Sequence, residues 1–153
     1  MSIAEHDVQE LIDALDQGRA RWINGRGELA EDSPVRQAAD MTIFGPFGGT
    51  GPRPGTVTPE QVSAAQAAIS AQFHGGEGSC EVVQTIVEGD LVVVAMIERS
   101  TVKFQALDSQ PWVLRTTQVF RKTPDGWLRL HRHADPLIGP RSLAATLALL
   151  DGA

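Results

Sequence analysis

The sequence has no tyrosine, two lysines and one cysteine, and each shortage removes a class of chemistry. Without tyrosine, no phenol can act as an acid, an oxyanion donor or a nucleophile. Lys103 and Lys122 lie in strand-like stretches beside charged or turn residues, where a solvated amine is expected, and this argues against Schiff-base chemistry. Because Cys80 is the single cysteine, an intrachain disulfide and a zinc site built from several cysteines are excluded. So low a cysteine content is typical of proteins of the reducing cytoplasm.

Long apolar runs and positive net charge are missing as well. No segment approaches the roughly 18 apolar residues that a membrane span requires, and we expect neither a signal peptide nor a membrane partner. The net charge of −6 argues against a nucleic-acid groove. The 153 residues, 42% hydrophobic and 21% charged, predict one cytoplasmic domain (1–153) with a real core.

Helical signals come first along the chain. Apolar residues at helical spacing predict a helix over residues 3–22. Thr58 as N-cap and Pro59 as first helical residue predict a second helix that continues to residue 73. Residues 28–38 are ambiguous, because a turn there is followed by a short helical stretch. A short amphipathic helix is expected near the C-terminus, over residues 140–150.

Strand signals dominate the rest of the sequence. A first strand is predicted over residues 39–46, and from Ser79 onward the apolar period changes to two. Four more strands are predicted, over residues 80–88, 91–104, 112–122 and 126–134. This order predicts an α+β fold, with a curved antiparallel sheet wrapped around the N-terminal helices. Residues 45–56, with five glycines and three prolines, form a long loop that is either a surface excursion or a lid.

The strand over residues 91–97, LVVVAMI, has no polar face. An antiparallel sheet with one solvated face alternates apolar and polar residues, so a strand that is apolar on both sides is covered on both sides. The helices can cover only one face of the sheet. We therefore predict a homodimer that forms through the outer sheet face.

Several short motifs carry a resemblance to a known family. They are EGD at residues 88–90 before an apolar strand, RTTQVFR at 115–121, DGW at 125–127, HRHADP at 131–136 and, upstream, TIFGP at 42–46. In these motifs the chain resembles the nuclear transport factor 2-like superfamily, in particular its SnoaL-like, ketosteroid-isomerase-like branch. The resemblance implies a cone-shaped, cystatin-like fold with a pocket between sheet and helices, often dimeric. Members include isomerases, cyclases, an epoxide hydrolase and assembly domains, so the fold does not decide function.

Ketosteroid isomerases can be tested against the sequence directly. They carry an aspartate base immediately before the proline that matches Pro46, and this chain has Gly45 there. Their oxyanion hole uses a tyrosine, which this chain lacks. Steroid isomerisation by that mechanism is not expected.

Strand alternation and the resemblance together direct a polar group into the pocket. Alternation along the last strand groups Leu128, Leu130, Arg132 and Ala134 on one face, and Trp127, Arg129, His131 and His133 on the other. The kinase association domain, which this sequence resembles in the same strands, has polar and basic pocket residues at the positions of Glu98, Gln118 and Ala134. Glu98, Gln118 and Arg132 are therefore expected to point inward.

Glu98 and Arg132 are the candidate catalytic residues. A carboxylate facing an apolar cavity has its pKa raised by desolvation, so Glu98 would act as a general base with Arg132 or Gln118 as the stabilising group. A nearby arginine would oppose that rise in pKa and could hold an oxyanion instead. The alternative is that Glu98 is solvated where its strand leaves the core. The further substrate-binding candidates are Trp22, Asp40, Phe44, Met96, Thr116 and Gln118.

Three functions stay open on the sequence alone, the last of which is a purely structural dimer whose cone is filled by side chains. The first is a cofactor-independent enzyme that performs isomerisation, cyclisation, hydration or dehydration on a small, largely apolar substrate. The second is a non-catalytic ligand-binding or assembly module. His131, His133 and Asp135 share one strand face, but alternation turns the two histidines toward the presumed dimer interface, so no metal site is expected there.

Overall fold

The computed structural model describes residues 2–27 and 31–151 of the chain. Its elements are α1 (Glu5–Ile23), β1 (Val35–Phe44), α2 (Pro59–Ser70), β2 (Phe73–Glu88), β3 (Leu91–Phe104), β4 (Leu107–Thr123), β5 (Gly126–Pro136) and α3 (Leu143–Ala148). The five strands form one sheet in the order β1-β5-β4-β3-β2. All neighbours are antiparallel except β1, which runs parallel to β5. The predicted α+β class is confirmed. None of the helices in the described part of the chain is long and apolar enough to span a membrane.

Besides the start of β4, which lies at Leu107 and not at residue 112, two predicted boundaries were wrong. β1 begins at Val35, so the stretch expected to be a short helix is strand, and residues 28–30 lie outside the described residues. α2 ends at Ser70 and β2 already begins at Phe73, ahead of the predicted start. Glycine explains the second error, because a Cβ atom on Gly76 would lie 2.1 Å from the carbonyl oxygen of Thr101. What resembles a helix terminator in the sequence is a close approach of two strands.

The core lies between α1 and the inner face of the sheet. Its main cluster contains Leu11, Leu15, Val35, Val92, Val94, Met96, Phe120 and Trp127. On β3 these core residues alternate with the half-exposed outer residues Val93 and Ala95. A smaller cluster of Ile23, Phe73 and Val102 closes one end of the sheet. Burial of both clusters stabilises the bent sheet against the helix by removing apolar surface from water.

An irregularity in β5 determines which side chains face inward. Val119 pairs with His131, whereas the next residue, Phe120, pairs with Arg129, so Leu130 has no partner on β4. Such a β-bulge shifts the alternation by one residue. Arg129 therefore shares the inner face with Arg132, and Trp127 is buried in the core. The prediction that Arg129 and Trp127 lie on the outer face was wrong.

Gly18 offers a test of how much a glycine in the interior of α1 destabilises the helix. Nothing lies within 4 Å of the position that its Cβ atom would occupy. We expect Gly18→Ala to raise the free energy of unfolding by about 0.5–1 kcal/mol, because alanine loses less backbone entropy in a helix. Urea denaturation of the variant and the wild type measures the difference. Gly27→Ala is the control and is expected to destabilise, since its Cβ would lie 2.5 Å from that of Ser70. Stabilisation by both changes, or by neither, would contradict this account.

Candidate functional site

A cavity of about 650 Å³ lies between the inner sheet face, α1, α2 and the loop after β1. This volume is within the range of roughly 300–1,000 Å³ that is usual for small-molecule sites. Its apolar walls include Leu15, Trp22, Ile43, Val62, Ile69 and Leu114. The glycine-rich loop contributes Pro46 and Phe47, and the ring of Phe47 stacks on Trp112 at a centroid distance of 6.2 Å. The loop therefore forms part of the cavity wall.

Glu98 and Arg132 form a bidentate ion pair in the cavity wall. Arg132 Nη1 donates to Glu98 Oε1 at 2.8 Å, and Nη2 donates to Oε2 at 3.1 Å. Their side chains are only 13% and 19% exposed, respectively. Arg132 reaches across β4 from β5, and its planar fork matches both carboxylate oxygens. The expectation of a solvated Glu98 is therefore wrong.

The ion pair determines the acidity of Glu98. Burial by itself would raise the pKa of Glu98, but the charge and hydrogen bonds of Arg132, helped by the charges of Arg129 and Arg19, outweigh burial. The pKa of Glu98 therefore lies below its ordinary value, and the expected raised pKa is wrong. A carboxylate held at both oxygens by a guanidinium is a weak base. In this state Glu98 holds Arg132 in place.

Arg129 places a second guanidinium against the same cavity. Its guanidinium carbon lies 5.6 Å from the centroid of the Phe120 ring, a cation–π contact. Its Nε is buried and donates to no partner, and no carboxylate in the described part of the chain forms an ion pair with it. Burial and the nearby charge of Arg132 lower the pKa of Arg129 to about 9, against the opposing effect of Glu98. Arg129 is therefore still a cation at neutral pH.

Gln118 adds an unsatisfied polar group. The side chain lines the cavity, is 1% exposed, and its Oε1 is buried without a hydrogen-bond partner. A buried acceptor without a donor costs about 1–3 kcal/mol. Strand pairing sets Gln118 directly beside Arg132. On its sheet side the cavity wall thus carries one salt bridge, one further cation and one open acceptor, and Arg19, Arg21 and Asp32 line the cavity from outside the sheet.

Four of the six predicted substrate-binding residues lie away from the cavity. Met96 is on the same face as Glu98 but is packed beneath α1 in the core. Thr116 is buried in β4, and its Oγ1 has no partner. Asp40 is exposed on β1. Among the predicted substrate-binding residues, only Trp22 and Gln118 line the cavity, together with the catalytic candidates Glu98 and Arg132.

Phe44 is also outside the cavity, and its surroundings explain why. It is 47% exposed and meets His131 and His133 edge to face, at centroid distances of 5.4 and 5.6 Å. These histidines lie on the outer sheet face, as alternation predicted. His131 shares a hydrogen bond of 2.6 Å with Thr42, and His133 lies 3.3 Å from Asp135. The described residues contain no cluster of three or more histidine, cysteine, aspartate or glutamate side chains that could hold a metal ion.

Sequence reasoning missed Arg129, Trp112 and Phe47. Arg129 faces inward only because of the bulge at Leu130, and no glycine or proline marks that bulge in the sequence. Trp112 was placed at the start of a strand and Phe47 in a loop. Their stacking depends on the loop folding back over the sheet, which no local signal in the sequence indicates.

Comparison with known proteins rests on structure alone, because no family model matches the chain and no curated protein is detectably similar to it. A candidate dehydratase of the NTF2-like family from Streptomyces avermitilis is 20% identical, with 90% of this chain and 100% of that chain covered and a TM-score of 0.65. An NTF2-like superfamily protein from Salmonella enterica is 14% identical, with 90% and 96% covered and a TM-score of 0.66.

A candidate calcium/calmodulin-dependent protein kinase II association domain from Xanthomonas campestris is 14% identical, with 91% of each chain covered and a TM-score of 0.61. At these identities the likeness concerns the fold and carries no activity with it. The strand order, the helix-covered inner face and these neighbours agree. The chain has the nuclear transport factor 2-like fold.

Proposed function

We propose that this protein binds a small, largely apolar molecule in the cavity between its sheet and helices. The observation that carries the proposal is the cavity itself, about 650 Å³ with mostly apolar walls and a polar group on one side. This combination is typical of small-molecule sites, in which apolar walls supply affinity and a few polar groups set orientation. A core cluster of comparable size would have filled this space with side chains.

Binding without catalysis is the function that the polar group supports best. Both oxygens of Glu98 are engaged by Arg132, and the lowered pKa of Glu98 makes it a poor proton acceptor. Acid–base catalysis is the second candidate, favoured by Arg129 as an oxyanion donor and by the candidate dehydratase among the structural neighbours. If the protein is an enzyme with Glu98 as its base, Glu98→Gln is expected to abolish turnover and to leave the affinity for the substrate intact.

Blocking the cavity mouth tests the binding proposal. Ala65 lines the cavity and is exposed, whereas its neighbour Ala64 is exposed and does not line it. The probe is N-phenyl-1-naphthylamine, a neutral aromatic dye whose fluorescence rises in apolar surroundings. We expect Ala65→Trp to weaken its binding by about tenfold or more, because the indole occupies space that the rings need.

Ala64→Trp is the matched control and is expected to bind the dye like the wild type. Trp22 and Trp112 line the cavity, so quenching of tryptophan emission by the dye reports occupancy independently. Equal affinities for the wild type and both variants would place the dye elsewhere and overturn the proposal.

We also propose that two copies of the chain associate through the outer sheet face. On β3, Leu91, Val93, Ala95 and Ile97 are half-exposed. Strand pairing sets Ile86 of β2 and Val119 of β4 on either side of Val93, so an apolar row crosses three strands. A contiguous apolar patch of this kind is typical of a protein interface. A second copy of the same face covers it most simply, by twofold symmetry.

A further inference from the structure

The polar group of the cavity holds more positive than negative charge. Arg129 and Arg132 each carry a guanidinium, and Glu98 is the carboxylate that lies with them on the inner face. Glu98 is already fully used by Arg132, through both of its oxygens. One positive charge of this group on the sheet is therefore left over, inside a chain whose net charge is −6. Arg19, which lines the cavity from α1, already has its counter-charge in Asp16 at 2.9 Å.

The surplus charge is located on Arg129. Its nearest electrostatic neighbours in the site are Glu98, which attracts it, and Arg132, which repels it. Apart from the face of the Phe120 ring, the described residues provide no acceptor for its buried Nε. Placing a cation in such a position costs free energy unless an opposite charge joins it. The cavity in front of Arg129 is where an opposite charge can enter.

We infer, on the basis of the binding function proposed above, that the ligand is a small organic monoanion whose acidic group meets Arg129. The open Oε1 of Gln118 accepts an O–H or N–H of the same molecule, and the apolar body lies against the walls around Trp22 and Leu114. The structure thus assigns to this cavity an amphipathic acid, such as an aromatic or aliphatic carboxylate.

The charge balance distinguishes this ligand from its alternatives. A neutral ligand leaves Arg129 without a counter-charge, and a cation is repelled by both arginines. A phosphate dianion exceeds the single surplus charge and places the excess beside Glu98. A monoanion cancels the surplus, and a planar carboxylate matches the fork of a guanidinium.

A matched pair of dyes tests the inference. 1-Anilinonaphthalene-8-sulfonate and N-phenyl-1-naphthylamine share one ring skeleton and differ by a single sulfonate group. Fluorescence titration gives the dissociation constant of each dye for the wild type and for each variant. We expect the wild type to bind the anionic dye about tenfold more tightly or better, since a hydrogen bond to a charged group contributes roughly that much.

Arg129→Met removes the charge and keeps the length of the side chain. We expect this variant to bind the anionic dye about tenfold or more weakly than the wild type, and to bind the neutral dye equally well or better. Arg129→Lys keeps the charge and is expected to retain most of the preference. Arg115→Met is the control for dye bound on the outer sheet face, where Arg115 is exposed beside Asp135. It is expected to leave the dissociation constants of both dyes unchanged.

The results separate this inference from the binding proposal on which it rests. If the neutral dye binds and Ala65→Trp blocks it, but Arg129→Met leaves the ratio of the two constants unchanged, the ligand is not an anion held by Arg129. If Ala65→Trp affects neither dye, the cavity is not the site and both proposals fail. Should Arg129→Met not fold, a wild type that binds the neutral dye more tightly overturns the inference by itself, and a retained preference for the anion in Arg129→Lys supports it.

Discussion

Glu98→Gln is expected to lower the free energy of unfolding by about 3–5 kcal/mol, the usual cost of removing one partner from a buried ion pair. The physical reason is specific to this cavity. The change leaves two neighbouring guanidinium groups, Arg129 and Arg132, without the carboxylate between them. Urea denaturation at neutral pH measures the loss, and the near-identical size of glutamine keeps packing out of the comparison.

Arg132→Met is expected to lower the free energy of unfolding by less than Glu98→Gln does. When Arg132 is removed, Glu98 still lies within the electrostatic reach of Arg129, which takes over part of the pairing. The double variant is expected to recover part of the loss, because it removes both members of the pair together. If Arg132→Met proves as costly as Glu98→Gln, or more so, Arg129 is not coupled to Glu98 and the charge balance described for the cavity is wrong.

Acid titration gives a second test of the same pair. The pKa of Glu98 in the folded protein lies below its ordinary value of 4.5. The stability that this carboxylate contributes is therefore complete above pH 4.5 and is lost as the pH falls through the lower, folded-state pKa. The difference in unfolding free energy between the wild type and Glu98→Gln should shrink in that acidic range. A difference that does not depend on pH would contradict the assignment.

If two copies associate as proposed, Val119→Lys is expected to convert this dimer to monomers. Val119 lies on β4, at one end of the apolar row, half-exposed on the outer face and paired with Val93. In a twofold interface each substitution buries an unpaired ammonium, so we expect the dissociation constant to rise about a hundredfold or more, or about 2.8 kcal/mol. Light scattering over a concentration series measures it, with the wild type at twice the chain mass of 16.4 kDa.

Val87→Lys makes the same chemical change on the other face of the sheet. Val87 is 43% exposed and pairs with the inward-facing Val92. This control is expected to leave the mass unchanged. A wild type that elutes at the mass of one chain at all concentrations would show that the outer face is not a homodimer interface. Dissociation by Val87→Lys as well would place the interface elsewhere.

Local patterns in the sequence predicted a large part of this fold. The apolar run that follows the turn at residues 88–90 predicted β3 with its observed bounds, Leu91–Phe104. Thr58 and Pro59 start α2 as predicted, with the Thr58 hydroxyl accepting from the backbone of Gln61. Alternation together with the family resemblance also directed Glu98, Gln118 and Arg132 toward the cavity, where all three lie. In the first two cases the determining contacts lie within a few residues along the chain.

The sequence by itself determined the strand alternation and the start of α2, because these depend on local geometry, and the inward side of Glu98 followed from alternation combined with the family resemblance. Only the tertiary structure decided the chemistry of the cavity. The unpaired Leu130 turns Arg129 inward, and β5 brings Arg132 across β4 to Glu98. These contacts join residues far apart in the chain, and the pKa of a buried carboxylate depends on which charges surround it. The same carboxylate would be a general base in an apolar cavity, and here it is one half of an ion pair.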